Sequence, residues 1–279
     1  MNDLVLDLPG GGPRCRFSFE GTHDRGRCLA SWQTGNWLAA FITDPGGREE
    51  NQDAWGWAET AGGGLLVSVA DGLGGHAAGR TAAWLAMGAA VETVLTEDYA
   101  IMSPSALPDI FNRAEQAILR AAEADASLIG MRSAMVCVTL QSGLARWAHV
   151  GDTRLYHIRQ GSLSVTRDQS VPQMLVDMGQ IRPDQIRGHP DRSRLLEALG
   201  SPDRPTVPVF LPQLVPVEPG DWLILASDGF WAWLDDGELL ELTASASPDN
   251  VLAEAEARLK KNVKTDEYDN YTAVFLHYF

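Results

Sequence analysis

Apolar residues recur along the chain in two rhythms, one of short dense runs and one of helical spacing. The short runs are rich in Val, Ile, Leu and aromatic residues and are bounded by Gly, Pro, Asn, Asp or Ser, which predicts strands. "WLAAFI" (37–42) and "DAWGWA" (53–58) flank the polar loop "TDPGGREENQ" (43–52), and "LLVSVA" (65–70) follows. "AMVCVTL" (134–140), "LARWAHV" (144–150), "RLYHIR" (154–159) and "SLSVT" (162–166) read as a β-meander with turns at Ser142-Gly143 and Gln160-Gly161. A further strand pair is predicted at 206–217 and 221–227, and a last strand at 271–279. Helical spacing predicts an alanine-rich helix from His76 to Glu97. A clearer one covers 107–125, where Ile110, Phe111, Ala114, Ala117, Ile118 and Ala121 share a face. Shorter helical pieces are predicted at 171–179, 192–200, 236–246 and 248–261.

Strands thus come in runs interrupted by helix pairs, without strict β-α-β alternation. That order favours an α+β fold with antiparallel sheets over a doubly wound parallel sheet. No internal repeat, low-complexity tract or linker divides the chain, so 1–279 is read as a single domain, with the polar, glycine-rich residues 1–14 frayed. A length of 279 residues leaves room for one large core.

Charge and cysteine content narrow the function. A net charge of −15 argues against nucleic acid or an anionic membrane as the main partner, since both need a basic surface. No run approaches the ~20 apolar residues of a membrane span, and the N-terminus lacks the pattern of a signal peptide. Cys15, Cys28 and Cys137 are odd in number and widely spaced, which argues against a disulfide framework or a structural zinc site. A cytoplasmic protein with reduced thiols is expected.

The acidic residues are placed with a pattern. "LLVSVA" delivers Asp71, "ARWAHVG" delivers Asp152 and "WLILAS" delivers Asp228, while Asp269 stands just before the last strand in "EYDNYTAVFL". Strand ends on neighbouring strands would bring these carboxylates to one rim, where mutual repulsion raises their pKa values unless a cation neutralises them. Oxygen-only ligation, with no Cys and no organised His cluster, suits Mg²⁺ or Mn²⁺ better than Zn²⁺. An isolated Asp-Gly marks only a turn, and Asp236-Gly237 reads that way. Gly72, Gly74 and Ala77 also match the dinucleotide fingerprint G-x-G-x-x-[GA], with Glu92 about 20 residues further on. That reading is disfavoured, because Asp71 would repel a pyrophosphate and the flanking elements do not alternate. No P-loop is present. His76, at the start of the alanine-rich helix, is a candidate for proton transfer.

In this order the motifs resemble the metal-dependent protein phosphatase family of the protein phosphatase 2C type. "GGREENQDAW" (46–55) is similar to its R-x-x-N-[EQ]-D motif and "VADGLGGHAAG" (69–79) to D-G-x-G-G. "HVGDTRLY" (149–156) resembles G-D-[ST]-R, "LASDGFW" (225–231) resembles S-D-G-x-W, and "DNYTAVFL" (269–276) resembles D-N-x-T. The resemblance implies a four-layer α-β-β-α sandwich, two central antiparallel sheets flanked by helix pairs, with the cleft at one end. It implies direct attack on phosphoserine or phosphothreonine by water bridging two Mn²⁺ or Mg²⁺ ions. Asp71, Asp228, Asp269 and the Gly72 carbonyl would hold these ions, Asp53 would organise water from behind them, and Asp152 would help hold a third, weaker ion. Arg48 would clamp the phosphate, and residues 168–206 would form a flap beside the cleft. The implied partners are phosphorylated proteins, targets of a serine/threonine kinase, with the enzyme acting as a monomer. The alternative is a pseudophosphatase that binds phosphoproteins without turnover. Three positions depart from the family pattern: Gln52 for a common Glu, Ala232 for a common Asp, and Leu73 for a histidine proposed as general acid in some members.

Overall fold

The computed structural model describes residues 4–5, 15–17, 28–74, 77–96, 100–245, 250–264 and 268–279. In chain order its elements are β1 (Leu4–Val5), β2 (Cys15–Phe17), β3 (Cys28–Thr34), β4 (Trp37–Asp44), β5 (Asp53–Glu59) and β6 (Leu65–Leu73), then helices α1 (Ala77–Thr96) and α2 (Ala106–Ala124). There follow β7 (Arg132–Gln141), β8 (Leu144–Val150), β9 (Arg154–Arg159), β10 (Ser162–Val165), α3 (Val171–Asp177), β11 (Val209–Phe210), β12 (Val215–Pro216) and β13 (Trp222–Ala226). The chain closes with α4 (Asp228–Trp231), α5 (Asp236–Ser245), α6 (Val251–Asn262) and β14 (Tyr271–Tyr278).

The strands form two antiparallel sheets. One runs β1-β2-β5-β6-β7-β8-β11, with β12 also on β8, and the other runs β10-β9-β13-β14-β4-β3. Strand alternation explains how the layers stack. In β13, Leu223 and Leu225 face the other sheet, together with Trp55, Val67, Val69, Val136, Val138 and Val274. Trp222, Ile224 and Ala226 face outward against Leu239 and Leu242 of α5 and Val251, Ala255 and Leu259 of α6. On the opposite side, Ala82, Ala86, Ala90 and Val94 of α1 and Ile110, Phe111 and Ile118 of α2 cover Ala54, Leu66, Ala70, Met135 and Cys137. The result is the four-layer α-β-β-α sandwich, with its inner layer keyed by Phe41 of β4 stacked on Trp55 of β5 (ring centroids 3.6 Å apart).

Four sequence expectations are corrected. The stretch 134–166 is not one meander, because β7 and β8 lie in the first sheet and β9 and β10 in the second. The chain crosses between sheets at Gly151, whose φ of +84° is a conformation that favours glycine. Likewise 206–217 and 221–227 do not pair, since β11 and β12 add to β8 while β13 joins β9 and β14. Residues 192–200 are not helical. Ser133 and Leu199 exchange backbone hydrogen bonds of 2.9 and 3.1 Å, so tertiary pairing holds this leucine-rich stretch extended. Finally, the strand that carries Asp71 continues to Leu73, because β5 pairs with its backbone as far as Asp71 and β7 as far as Leu73, irrespective of side-chain polarity. Asp236-Gly237 sits in the first turn of α5, where Asp235 and Glu238 cap each other at 2.8 and 3.0 Å. The expectation for 1–14 lies outside the described residues except at Leu4–Val5. Among the described residues no helix is long and apolar enough to cross a membrane.

Candidate metal centre

The two sheets open at one end onto a cavity of ≈ 680 Å³. Asp71 reaches it from β6, Asp228 from the first residue of α4, Asp269 from just before β14, and Asp152 from the crossover between the sheets. Arg48 and Gly72 line the same cavity. Residues between 48 and 269 therefore meet because antiparallel pairing brings alternate strand ends to the same edge. Asp53 does not line the cavity. It is buried behind it, directly opposite Asp71 in the β5–β6 register.

Close packing fixes these positions. A side chain on Gly72 would collide with the Gly79 and Gln52 carbonyls, and one on Gly229 would strike the Asn270 carbonyl, so backbones touch at both points. Asn270 ties the loop before β5 to β14: its Nδ2 donates to the Pro45 and Glu50 carbonyls, both at 2.8 Å, and its Oδ1 accepts from Gln52 N at 2.8 Å. Ser227 Oγ donates to Asp53 Oδ2 at 2.7 Å and accepts from Thr272 N at 2.9 Å. Trp231 Nε1 donates to the Asp152 carbonyl at 2.8 Å and stacks beneath the Arg154 guanidinium at 3.6 Å. Arg154 in turn makes a bidentate pair with buried Asp168, both contacts 2.8 Å.

The electrostatics are those of crowded acids. Burial, then the neighbouring charges of Asp53, Asp228, Asp152 and Asp269, holds the Asp71 carboxyl well above the ordinary range. Burial, followed by Asp228 and Asp168, does the same to Asp152. Asp53 is pushed up to about 7, chiefly by burial and against the hydrogen bond from Ser227. Asp228 rises to about 6 through burial and the charges of Asp269 and Asp168, against the pull of Arg192. Two guanidiniums partly offset the crowding: Arg48 Nη2 lies 3.2 Å from Asp269 Oδ2, and Arg192 Nη2 lies 3.4 Å from Asp228 Oδ2.

This donor set fits a hard divalent cation. The ligating atoms offered are all oxygens, and Asp152 Oδ1 is buried without a hydrogen-bond partner among the described residues. No three His, Cys, Asp or Glu side chains among the described residues converge on one point. Each ion would therefore take few side-chain carboxylates and complete its shell with carbonyl and water oxygen, which Mg²⁺ and Mn²⁺ accept.

The sequence expectations for Arg48, Asp71, Gly72, Asp152, Asp228 and Asp269 are brought together here, and Asp53 stands directly behind. His76 lies outside the described residues. Leu73 presents an apolar side chain to the cavity, and Ala232 ends α4 without a donor. No motif marks Arg192, because it reaches Asp228 from a segment with no regular element of its own. Asn270, Ser227 and Thr272 stand inside the recognisable motifs, yet their tying role is visible only across strands.

Two antiparallel sheets opening onto a carboxylate-rich cleft define a class, the metal-dependent protein phosphatases. A family model described as protein phosphatase 2C matches residues 47–264, most of the chain, and the chain belongs to that family. It is 30% identical over 213 residues to the serine/threonine phosphatase stp of Listeria monocytogenes, covering 74% of this chain and 83% of that one. It is 34% identical over 182 residues to the serine/threonine protein phosphatase PstP of Mycobacterium tuberculosis, covering 64% of this chain. That match covers 34% of PstP, so it spans about a third of the relative's length. The solved catalytic domain of PstP in complex with two manganese ions superposes with a TM-score of 0.70 at 26% identity, over 86% of this chain and 97% of that one.

Proposed function

We propose that the protein is a metal-dependent serine/threonine protein phosphatase that hydrolyses phosphoserine and phosphothreonine. The observation that carries the proposal is the single cavity lined by Asp71, Asp152, Asp228, Asp269 and Arg48. Asp71, Asp228, Asp269 and the Gly72 carbonyl are the residues to hold two ions, and Asp152 a third, weaker one. When bound, Mn²⁺ or Mg²⁺ supplies Lewis-acid polarisation of the phosphoryl oxygens and lowers the pKa of water into the range where it attacks phosphorus. The exposed Arg48 side chain forks two phosphate oxygens, a geometry that a planar guanidinium matches. Asp53, fixed by Ser227 behind the cavity, would organise water held by the ions.

We read the chain as one catalytic domain, with 168–206 as its flap. Ser193 on the cavity wall and Arg192 at Asp228 support that role. The enzyme is taken to act as a monomer. The partners are phosphorylated targets of a serine/threonine kinase. The expected setting is cytoplasmic; Cys137 is a buried thiol whose pKa is pushed up to about 12 by burial, so it is not a reactive nucleophile. The test is hydrolysis of p-nitrophenyl phosphate: it should require manganese, stop with chelator and vanish in Asp228→Asn. No turnover with manganese present, alongside retained phosphopeptide binding, would replace this reading with that of a pseudophosphatase.

A further inference from the structure

Beside the candidate metal centre lies a second, smaller cavity of ≈ 370 Å³. It shares Leu73, Gly74 and Ser193 with the first, so the two lie side by side. Its walls carry two guanidiniums, Arg132 and Arg194. Both residues are exposed, and neither side chain has an ion-pair or hydrogen-bond partner among the described residues. The acid on the same wall, Glu197, is already engaged by Arg204 Nη1 at 2.6 Å. In a chain with a net charge of −15, two uncompensated arginines at the edge of an acidic cleft are an unusual local surplus of positive charge.

Position ties this pocket to the substrate. Arg132 opens β7 and pairs in register with Leu73, two residues along β6 from Asp71. At about 3.3 Å per residue, that places it roughly 7 Å along the strand from the Asp71 row. Arg194 comes from a separate segment, next to Ser193, which lines both cavities. An extended peptide whose phosphoryl group enters the larger cavity would bring a side chain about two or three residues away into the smaller one.

Building on the proposed phosphatase function, we propose that Arg132 and Arg194 form an anion subsite that selects phosphopeptides with an acidic or second phosphorylated residue flanking the scissile phosphoresidue. A guanidinium pairs bidentately with carboxylate or phosphate, so the two share one chemistry. Neither arginine touches the reacting group. Their contribution is to substrate binding, and it is absent for a small aryl phosphate that fills the larger cavity alone.

The test uses the full chain with manganese and a set of phosphothreonine peptides in which Glu, phosphoserine, Gln or Lys is walked from three residues before to three after the phosphosite. KM is read from phosphate release, and Kd from fluorescence anisotropy of labelled peptides. For the wild type, Glu or phosphoserine at one flanking position should lower KM and Kd about fivefold to tenfold relative to Gln, with Lys the weakest. R132A/R194A should erase that preference while leaving p-nitrophenyl phosphate kcat/KM unchanged, and R132K/R194K should restore part of it. The proposal is overturned if the wild type does not distinguish Glu from Lys at any position, or if the double alanine variant keeps the preference. Absence of p-nitrophenyl phosphate turnover would count against the phosphatase reading, and the anisotropy series would still decide the subsite.

Discussion

Strand β13 has an aspartate beyond each end, Asp221 immediately before Trp222 and Asp228 two residues past Ala226, and their surroundings are opposite. Both are buried. Asp221 is fully answered: Arg159 Nη2 lies 2.6 Å from Oδ2 and Arg159 Nε 2.9 Å from Oδ1, His157 Nε2 stands at 3.0 Å, and Glu218 N donates at 3.0 Å. Burial pushes its carboxyl up, but these partners outweigh burial and hold it below the ordinary range. Asp228 faces burial and other acids with only Arg192 and the Gly229 N–H against them, and rises to about 6. The sequence context of both is an apolar strand next to an acid. The difference teaches that a strand-end carboxylate staples the fold when cations of the protein answer it, and becomes a site for an external cation when other carboxylates surround it.

The largest expected contrast comes from removing each charge. Asp228→Asn should cost roughly 10³-fold in manganese-saturated kcat/KM, of the order seen when an essential electrostatic group is lost, with a thermal midpoint close to wild type. Asp221→Asn should do the reverse, leaving kcat/KM within about threefold while lowering unfolding free energy by about 2 kcal/mol, because Arg159 and His157 lose their partner. Denaturant titration and steady-state kinetics on the same preparations check both, and loss of activity without loss of stability in Asp221→Asn would break the comparison. Next in size, Arg48→Ala should raise KM about tenfold with a smaller fall in kcat, and Arg48→Lys should recover part of it.

Metal and pH sharpen the contrast further. Ions bind only carboxylates that have released their protons; burial and neighbouring acids push the ligand carboxyl of Asp228 up to about 6 and hold that of Asp71 well above the ordinary range. The manganese-induced rise in thermal midpoint should therefore be larger at pH 8 than at pH 5.5, and an equal rise at both would argue against these carboxylates as the binding groups. The smallest effect concerns Asp53 without metal. A carboxyl whose folded pKa lies above its unfolded value favours the folded state when protonated, so its contribution falls as pH rises from about 4 through 7. Metal-free Asp53→Asn should consequently melt above metal-free wild type at pH 8 and level with it at pH 5. Differential scanning fluorimetry after chelation reads this directly.

Much of this was legible beforehand. The apolar runs located every long strand except β3 (Cys28–Thr34), the face shared by Ile110, Phe111, Ala114 and Ile118 located α2, and Asp71, Asp152, Asp228 and Asp269 announced themselves through repeated context. What failed were inferences about neighbours. The strand at 154–159 follows the one at 144–150 in sequence, yet Gly151 sends it to the other sheet. The leucines near 195–199 have helical spacing, but the backbone of Ser133 claims them. The motif around Asp228 separates it from Asp221, but nothing local says that Asp221 is answered by Arg159 and His157, and Arg192 carries no sign that it reaches an acid 36 residues on.

The sequence alone determined which segments alternate, and hence the α+β class, and it placed acids where strands end, because burial periodicity and turn chemistry are local properties of a few consecutive residues. The tertiary structure alone decided which strand ends share an edge, which acids are answered by arginine and which by each other, and that Asp53 stands opposite Asp71. Those outcomes depend on register and on contacts between residues far apart in sequence, 221 positions in the Arg48–Asp269 pair. Charge coupling acts through distance in space, which no spacing along the chain encodes.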